Sequence, residues 1–240
     1  MMKMNLKPFW VRSCTAVVLI VGAVSCFAGD VSDKLAELEK QREKIGTLHT
    51  VAKTTARVGS GSRESTIESW EKKVDGKWKL RREIRTKAVA SQGAEPSEAL
   101  TMMVDDGTTT WREMPVTGSK RLVFKAKTSH RSEFADVRAA LEKGEARLRS
   151  DETVLEQPCV VLEIKGKEGA DRLLASYWIS QRYGIILKSI LEGTDQSVTE
   201  TRVTELKVDE PVEDKLFSYQ PPNDAQVIDS DSIGKKKDDK

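Results

Sequence analysis

The sequence predicts an α+β protein built on one antiparallel sheet of about ten strands with two helices. Three observations favour this class. Runs rich in β-branched and aromatic residues are broken at short intervals by Gly, Asp or Pro, which is typical of a meander of hairpins. The pairs Asp75-Gly76 and Asp106-Gly107 are two-residue hairpin signals. Two other segments, 31–45 and 132–143, carry apolar residues at helical spacing instead.

Residues 1–28 have the pattern of a secretory signal peptide. Basic residues precede an apolar run over 15–24, which is too short to span a membrane. Cleavage after Ala28 leaves a soluble periplasmic protein. An alternative is that residues 23–26 act as a weak lipobox and leave Cys26 acylated, so that the protein is lipid-anchored. We favour the soluble form because Ala23 stands where a lipobox usually has Leu.

The mature chain is expected to be one domain over 29–228, because 240 residues with 38% hydrophobic content support a single core and no linker divides them. The polar stretch 229–240 has no apolar face to bury and is predicted to be disordered. Lys and Arg number 40 against 38 for Asp and Glu, so the basic excess of a nucleic-acid binder is missing. Cys159, next to two valines, is interpreted as a buried strand thiol.

The predicted elements follow in order along the chain. A helix over 31–45 presents Leu35 and Leu38 on its apolar stripe and is ended by Gly46. A second helix over 132–143 presents Phe134, Val137 and Leu141, with Gly144 as its cap. The strands are predicted at about 48–58, 63–74, 77–88, 99–105, 108–114, 120–127, 153–165, 173–181, 184–192, 197–208 and 226–228.

Two stretches carry a resemblance to a known family. The order of a strand with Trp178 and Ile179, a turn, a strand ending in Leu187-Lys188, a Thr-rich strand and the Phe217-x-x-x-Pro-Pro ending is the first. The Asp-Gly-x-x-x-Trp hairpin ending at Trp111 is the second. Both resemble the LolA-like family of periplasmic lipoprotein carriers, with its LolB and RseB relatives. The resemblance implies an open, strongly curved half-barrel whose concave face is covered by the helices.

The most regular strand is 77–87, where charged residues occupy the odd positions and Trp78, Leu80 and Ile84 occupy even ones. One face of this strand is therefore solvated and the other apolar. Arg82 is even-numbered and breaks the rule. The family resemblance implies that Arg82 contacts the helical lid; the alternative is that a bulge or the sheet rim lets it reach solvent.

The same alternation gives further candidates for an apolar cavity that binds a ligand. They are Met103, Trp111, Leu122, Phe124, Leu162, Ile164, Tyr177 and Ile179. The predicted lid residues are Leu35, Leu38, Phe134, Val137 and Leu141. For each residue taken singly, ordinary core packing is the alternative reading.

Signals for catalysis are thin. His49 and His130 are the only histidines and have no metal-ligand spacing. The sequence contains no glycine-rich phosphate loop after a strand, no Gly-x-Ser-x-Gly elbow and no Cys-x-x-Cys. We therefore expect a protein that is not an enzyme and that needs neither a metal nor a cofactor.

The resemblance implies a monomeric periplasmic carrier that binds the acyl chains of lipoproteins, or a related amphiphile, for transfer toward the outer membrane. Its expected partners are an acylated lipoprotein or lipid, an inner-membrane transporter and an outer-membrane acceptor, with no nucleic acid. Two alternatives stay open: an RseB-like envelope sensor, and a LolB-like outer-membrane acceptor anchored through Cys26. The aromatic content of 5% and the charged strands depart from the family pattern.

Overall fold

The computed structural model describes residues 28–87, 98–114, 121–129, 134–166, 173–193 and 196–232. Several predictions concern residues outside these ranges. They include the signal peptide with Cys26, most of the loop over 87–97, His130, and the tail beyond Ser232.

The described residues form two helices, twelve strands and two short 3-10 helices. The helices are α1 (Ala28–Glu43) and α2 (Ala135–Lys143), and the 3-10 helices are Asp214–Phe217 and Ser230–Ser232. The strands are β1 (Thr47–Val58), β2 (Gly61–Val74), β3 (Lys77–Lys87), β4 (Glu98–Asp105), β5 (Thr109–Met114), β6 (Leu122–Lys127), β7 (Gly144–Val154), β8 (Gln157–Gly166), β9 (Leu173–Ser180), β10 (Ile186–Glu192), β11 (Val198–Val208) and β12 (Gln226–Asp229).

All twelve strands belong to one long, open and curved sheet in the order β12-β6-β5-β4-β3-β2-β1-β11-β10-β9-β8-β7. Two meanders, β1–β6 and β7–β11, are joined where β1 pairs with β11. The ladders are antiparallel except that β12 runs parallel to β6. The predicted fold class, a curved and mainly antiparallel sheet with two helices, is confirmed. That the helices cover the concave face stays a prediction.

The Asp75-Gly76 turn shows why the first half was predictable. Asp75 and Gly76 both have positive φ, 51° and 76°, as a type I′ turn between twisted strands requires. The bounds of β1 to β6 consequently agree with the predicted strands to within two residues.

The second half needs three corrections. The predicted strand 153–165 is two strands, because the chain reverses at Leu155 and Glu156, both with positive φ. Of β7, only Thr153 and Val154 fall within a predicted strand, and Gly144 opens β7 instead of capping α2. The stretch from Asp229 is not wholly disordered either, since β12 and the last 3-10 helix extend to Ser232.

Two apolar clusters form the core. In the first, α1 and α2 pack against β8 and β9, with Leu141, Ala146, Leu148 and Ile186 partly buried at its margin. The second joins the start of β1 to Trp178, Leu187 and Val203 and includes Cys159, which is fully buried as predicted. Burial raises the pKa of the Cys159 thiol, so the thiol is unreactive where it lies.

A segment of residues 209–225, named here the strap, follows β11 and crosses the sheet. The Arg81 guanidinium donates to the Leu216 carbonyl oxygen (3.4 Å), and the Tyr219 hydroxyl donates to the Glu113 carboxylate (2.9 Å). Burial together with the neighbouring Glu113 carboxylate raises the pKa of Tyr219, so it stays a neutral donor. The Trp111 and Tyr219 rings lie 5.7 Å apart. The strap thus gives the sheet a second layer on the side away from the first apolar cluster.

The strap is anchored at its first residue, beside the link between α1 and β1. The Asp209 Oδ1 atom accepts hydrogen bonds from the backbone N–H groups of Gly46 (2.7 Å) and Thr47 (3.3 Å). The Asp209 N–H in turn donates to the Thr47 carbonyl oxygen at 2.9 Å. Asp209 has a φ of 57°, a conformation that Asp and Asn tolerate better than most residues.

We expect Asp209→Ala to lower the free energy of unfolding by about 1 kcal/mol, since two backbone donors lose their acceptor and Ala is strained at this φ. This corresponds to about 2–4 °C in Tm. Asp209→Asn keeps the Oδ1 acceptor and the φ preference and is the matched control, expected to lie close to wild type. Equal losses in both variants would contradict the anchoring role.

The edge strand β7 is held to β8 by a buried carboxylate. Glu163 is only 6% exposed and accepts hydrogen bonds from Arg147 (2.6 and 2.8 Å) and Arg149 (2.8 Å). Burial alone would raise the pKa of Glu163, but the two guanidinium groups outweigh it and hold the pKa below its usual range. The stabilisation is therefore present above the pKa of an unfolded Glu and is lost as the pH falls through the lowered folded value.

We expect Glu163→Gln to lower the free energy of unfolding at pH 7 by about 1–2 kcal/mol. The difference from wild type should shrink as the pH falls below the pKa of an unfolded Glu, about 4.3, toward the lowered pKa of folded Glu163. Thermal unfolding followed across this pH range measures it. Glu205→Gln, which removes a solvent-exposed pair with Lys207, is the control and should have no measurable effect. A gap between wild type and Glu163→Gln that is constant with pH would contradict the charge-based explanation.

Candidate functional site

The register of the ladders divides the candidate residues between the two faces of the sheet. Residues directly paired across neighbouring strands share a face, and alternate residues along a strand do the same. Ten of the predicted apolar residues and Arg82 lie on one face, named here the helix face: Trp78, Leu80, Ile84, Met103, Leu122, Phe124, Leu162, Ile164, Tyr177 and Ile179. The opposite face, which the strap crosses, is named the strap face.

Trp111 does not lie with the others. It pairs with Val104 and Lys125 on the strap face, where its ring contacts Tyr219 and the Lys125 ammonium lies 5.4 Å from the ring centroid. The predicted hairpin is present, but the side chain of Trp111 points to the strap face and not to the helix face. Trp111 therefore packs against the strap.

Under the helices the helix face is fully packed. Val31, Leu35 and Leu38 of α1, with Phe134 just before α2 and Val137 within it, are each at most 3% exposed. They pack in one cluster with four of the predicted cavity residues: Leu162, Ile164, Tyr177 and Ile179. The predicted lid residues and the predicted inward row therefore meet, and the lid side chains fill the space between helices and sheet.

Beyond the helices the same face continues over β3 to β6. Six side chains there are half-buried and predominantly apolar: Trp78, Leu80, Ile84, Met103, Leu122 and Phe124. The helix face thus has a covered part and a part that is only partly shielded from solvent.

Arg82 lies on the helix face, and its Nε donates to the Ser69 hydroxyl at 3.0 Å. Ser69 belongs to the neighbouring strand β2 and is only 3% exposed. The hydrogen bond described for Arg82 therefore joins two strands and does not reach a helix. A role in holding the lid stays a prediction for this residue.

The arginine that joins a helix to the sheet is Arg42, in the last turn of α1. Its guanidinium pairs with the Glu71 carboxylate on β2 and lies 4.4 Å from the centroid of the Trp78 ring. Sequence reasoning missed this contact because Arg42 stands on the charged side of the helix, and the pattern does not say which strand lies opposite. Cation–π and charge pairing together fix the end of α1 beside the uncovered part of the helix face.

The turn before β10 lies against the backbone of α1. Gly184 has a φ of 61°. A Cβ atom added there would lie 2.0 Å from the Leu38 carbonyl oxygen and 3.0 Å from the backbone nitrogen of Arg42. Only glycine therefore allows α1 to pack at this distance. Gly184 is a contact point of the lid that the sequence signalled only as a turn.

Two cavities lie outside the helix-covered layer; polar groups dominate the lining of the first, and polar and apolar groups contribute about equally to the second. One, of about 190 Å³, is lined by Lys53, Thr55, Thr66 and Arg85 among others. The other, of about 390 Å³, lies between the strap and His49 and Trp70, whose rings stack at 5.2 Å. Neither offers the apolar surroundings that an acyl chain requires.

The described residues contain neither a cluster suited to a metal ion nor a membrane-spanning helix. No set of three or more His, Cys, Asp and Glu side chains there is arranged to hold a metal ion. Within the same ranges no helix is long and apolar enough to cross a membrane. His49 is occupied by the Trp70 ring and by the Glu68 carboxylate at 3.1 Å from its Nε2.

We expect Gly184→Ala to displace α1, because the new methyl group overlaps the helix backbone. Hydrogen exchange of the α1 amides should accelerate, and binding of a dye that reports exposed apolar surface should rise.

Gly59→Ala is the matched control for this prediction. Gly59 has a similar φ of 57° but no atom within 4 Å of an added Cβ, so the backbone strain is reproduced without the overlap. If Gly59→Ala changed helix protection as much as Gly184→Ala, strain alone would explain the effect and the close approach would not matter.

No protein-family model matches the sequence, and comparison with curated proteins gives no match either. Among solved structures the chain is similar to MucB, with 19% identity, a TM-score of 0.49 and coverage of 84% of this chain and 66% of that one. MucB has also been solved in complex with MucA from Pseudomonas aeruginosa, where this chain spans 63% of the matched chain.

Two further similar structures are smaller proteins. A LolA superfamily protein from Nitrosomonas europaea has 14% identity and a TM-score of 0.35, covering 78% of this chain and 97% of that one. Lipoprotein LppX from Mycobacterium tuberculosis has 12% identity and a TM-score of 0.44, covering 78% and 99%. These values describe a likeness in fold and carry nothing about ligand or activity. The resemblance implied an open, curved sheet with two helices, and the chain forms such a sheet.

Proposed function

We propose that this protein is a periplasmic carrier that binds the acyl chains of lipoproteins, or a related amphiphile, on the helix face of its sheet. The observation that carries the proposal is the continuity of that face. The buried apolar residues under α1 and α2 and the half-buried row from Trp78 to Phe124 lie on the same face, and Val203, Ala52 and Ile67 link them across the intervening strands. An acyl chain requires such an extended apolar surface.

The free energy of burying an acyl chain and the free energy of burying the helix side chains are of similar size. Transfer of an acyl chain out of water contributes about 0.8 kcal/mol per methylene, or on the order of 12 kcal/mol for sixteen carbons. The helices are held on the sheet chiefly by five buried side chains, from Val31 to Val137, worth about 1.5–3 kcal/mol each. A long acyl chain can therefore replace the helix side chains at little net free-energy change.

The helices are built to move together. The Arg138 guanidinium donates to both Glu39 carboxylate oxygens (3.0 and 2.6 Å), which clips α2 to α1. The hinge of α1 is the short link over 44–46, and α2 passes directly into β7 at Gly144. In the proposed mechanism the helix pair leaves the covered face, acyl chains enter, and the cargo passes to an acceptor of higher affinity.

The proposal includes export by the signal peptide over 1–28, with an inner-membrane transporter as donor and an outer-membrane acceptor as recipient. The role needs no cofactor and no catalytic group. Mass spectrometry of the mature N-terminus tests the export step: a start at Gly29 supports the soluble carrier, whereas an acylated Cys26 supports an anchored, LolB-like acceptor.

A second candidate function is that of an RseB-like sensor that engages a regulatory protein when lipid is bound. The observation that favours it is the groove of about 390 Å³ under the strap, since it lies on the face opposite to the proposed lipid surface. One face would then bind lipid while the other binds a protein. Extraction of an acylated protein from membranes distinguishes the two functions, because a carrier takes its cargo out of the membrane and passes it on, whereas a sensor does not.

For the carrier, we expect purified wild-type protein to extract an acylated lipoprotein from membranes and Ile84→Glu to lose most of this activity. A carboxylate in the half-buried row places a charge against the acyl chain. Leu100→Glu is the matched control, because Leu100 lies on the neighbouring strand but faces the strap side and is 45% exposed.

Circular dichroism and the Tm show whether both variants fold. Equal extraction by Ile84→Glu and wild type would contradict the assignment of the helix face. Failure of wild type to extract several cargoes, with lipid still co-purifying in native mass spectra, would favour the sensor.

A further inference from the structure

The strap face carries a row of four cations and one threonine that runs across five strands. The register places Lys188 opposite Arg202, Arg202 opposite Lys53, Lys53 opposite Thr66, and Thr66 opposite Arg85. All five side chains therefore point to the same side of the sheet. Like charges directly opposite each other on neighbouring strands destabilise a sheet.

The outer members of the row have their own partners. Lys188 lies 3.6 Å from the Glu200 carboxylate and 4.3 Å from the centroid of the Trp178 ring. Arg85 pairs with Glu83, and with Glu68 at 3.4 Å. The repulsion at both ends of the row is thus offset by neighbouring groups.

The central pair is different. Lys53 and Arg202 are both exposed, and within the described residues neither forms an ion pair. Among the carboxylates beside this pair in the register, Glu200 pairs with Lys188, and Glu68 pairs with His49 and Arg85. Glu64, opposite Thr55, is a further neighbour but forms no ion pair with Lys53. Two opposed cations thus lie side by side, and within the described residues neither is held in an ion pair.

A cavity adjoins Lys53, whereas Arg202, opposite Lys53 in the register, is not among the residues that line it. Its volume is about 190 Å³, and Lys53, Arg85 and Lys87 line it together with the hydroxyl groups of Thr55 and Thr66. Two carboxylates, Glu64 and Glu98, also line it, and Glu98 is paired in register with Lys87. Cations with hydroxyl donors around a small concavity match the acceptor oxygens and charge of a phosphate group.

We propose that Lys53 and Arg202, with Thr55 and Thr66, bind a phosphate group on the strap face. The phosphate belongs either to a lipid headgroup or to a free anion. The site lies on the face opposite to the proposed acyl-chain surface, so it does not depend on the proposed carrier function. The Arg202 guanidinium supplies paired donors, the Lys53 ammonium supplies a point charge, and binding removes the repulsion between them.

The first experiment measures the Tm in sodium phosphate against sodium chloride at matched ionic strength. Phosphate should raise the Tm of wild type, because a ligand that binds the folded state stabilises it. Lys53→Ala and Arg202→Ala should each weaken phosphate binding about tenfold, the loss of one charged contact. Arg112→Ala, an exposed cation on the helix face, is the control and should bind phosphate like wild type.

The second experiment locates the source of the phosphate. Vesicles of phosphatidylglycerol and of phosphatidylcholine are sedimented with wild type and with the same variants. Binding to phosphatidylglycerol that both variants lose and Arg112→Ala keeps supports the site with a lipid headgroup as its ligand. Stabilisation by inorganic phosphate without vesicle binding supports it with a free anion.

A third readout separates a ligand site from a structural pair. In low salt without phosphate, Lys53→Ala should raise the Tm by about 1–2 °C, since the repulsion disappears while binding is lost. The proposal is overturned if neither phosphate nor phosphatidylglycerol binds wild type. It is equally overturned if Arg112→Ala weakens binding as much as the two site variants.

Discussion

The structure depends on the apolar layer between the two helices and strands β8 and β9. A single open sheet has two faces to shield, and over β7 to β9 one of them is shielded by side chains from α1 and by Phe134 and Val137 at α2. Without these side chains, water would reach Leu162, Ile164 and Ile179, which are fully buried. The proposed movement of the helices is therefore coupled to the stability of the domain, and it requires a guest that covers the same residues.

The two faces use different chemistry, and one contact joins them. The helix face carries the apolar candidate residues together with Arg82 and Arg112, whereas the strap face carries charged rows with aromatic residues such as Trp70 and Trp111 beneath the strap. Asp209, the first residue of the strap, accepts hydrogen bonds from Gly46, the last residue of the α1 hinge, and from Thr47, which follows it. A change in the position of the strap would therefore act directly beside the hinge of α1, the helix that is proposed to open on the helix face.

Sequence patterns sufficed where the local signal was strong. Asp75-Gly76 fixes a hairpin through backbone conformation alone, and the strict alternation of β3 separates Trp78 from its charged neighbours. Sequence patterns failed at β7, because its inward residues Ala146 and Leu148 alternate with charged residues. The charges of Arg147 and Arg149 are neutralised by the buried Glu163 of β8, which the sequence does not indicate. Contacts distant in sequence, including that of Arg42 with Glu71, leave no periodic signal.

Full packing beneath the helices determines what ligand binding would mean in this fold. A preformed empty cavity would gain the whole transfer free energy of an acyl chain, whereas here the chain replaces Leu35, Leu38 and Phe134, which already cover the sheet. Affinity is then the difference between two coverings of one surface and is smaller than the gross transfer term. A difference of that kind suits a protein that must release its guest, since a few kcal/mol offered by an acceptor suffices to reverse it.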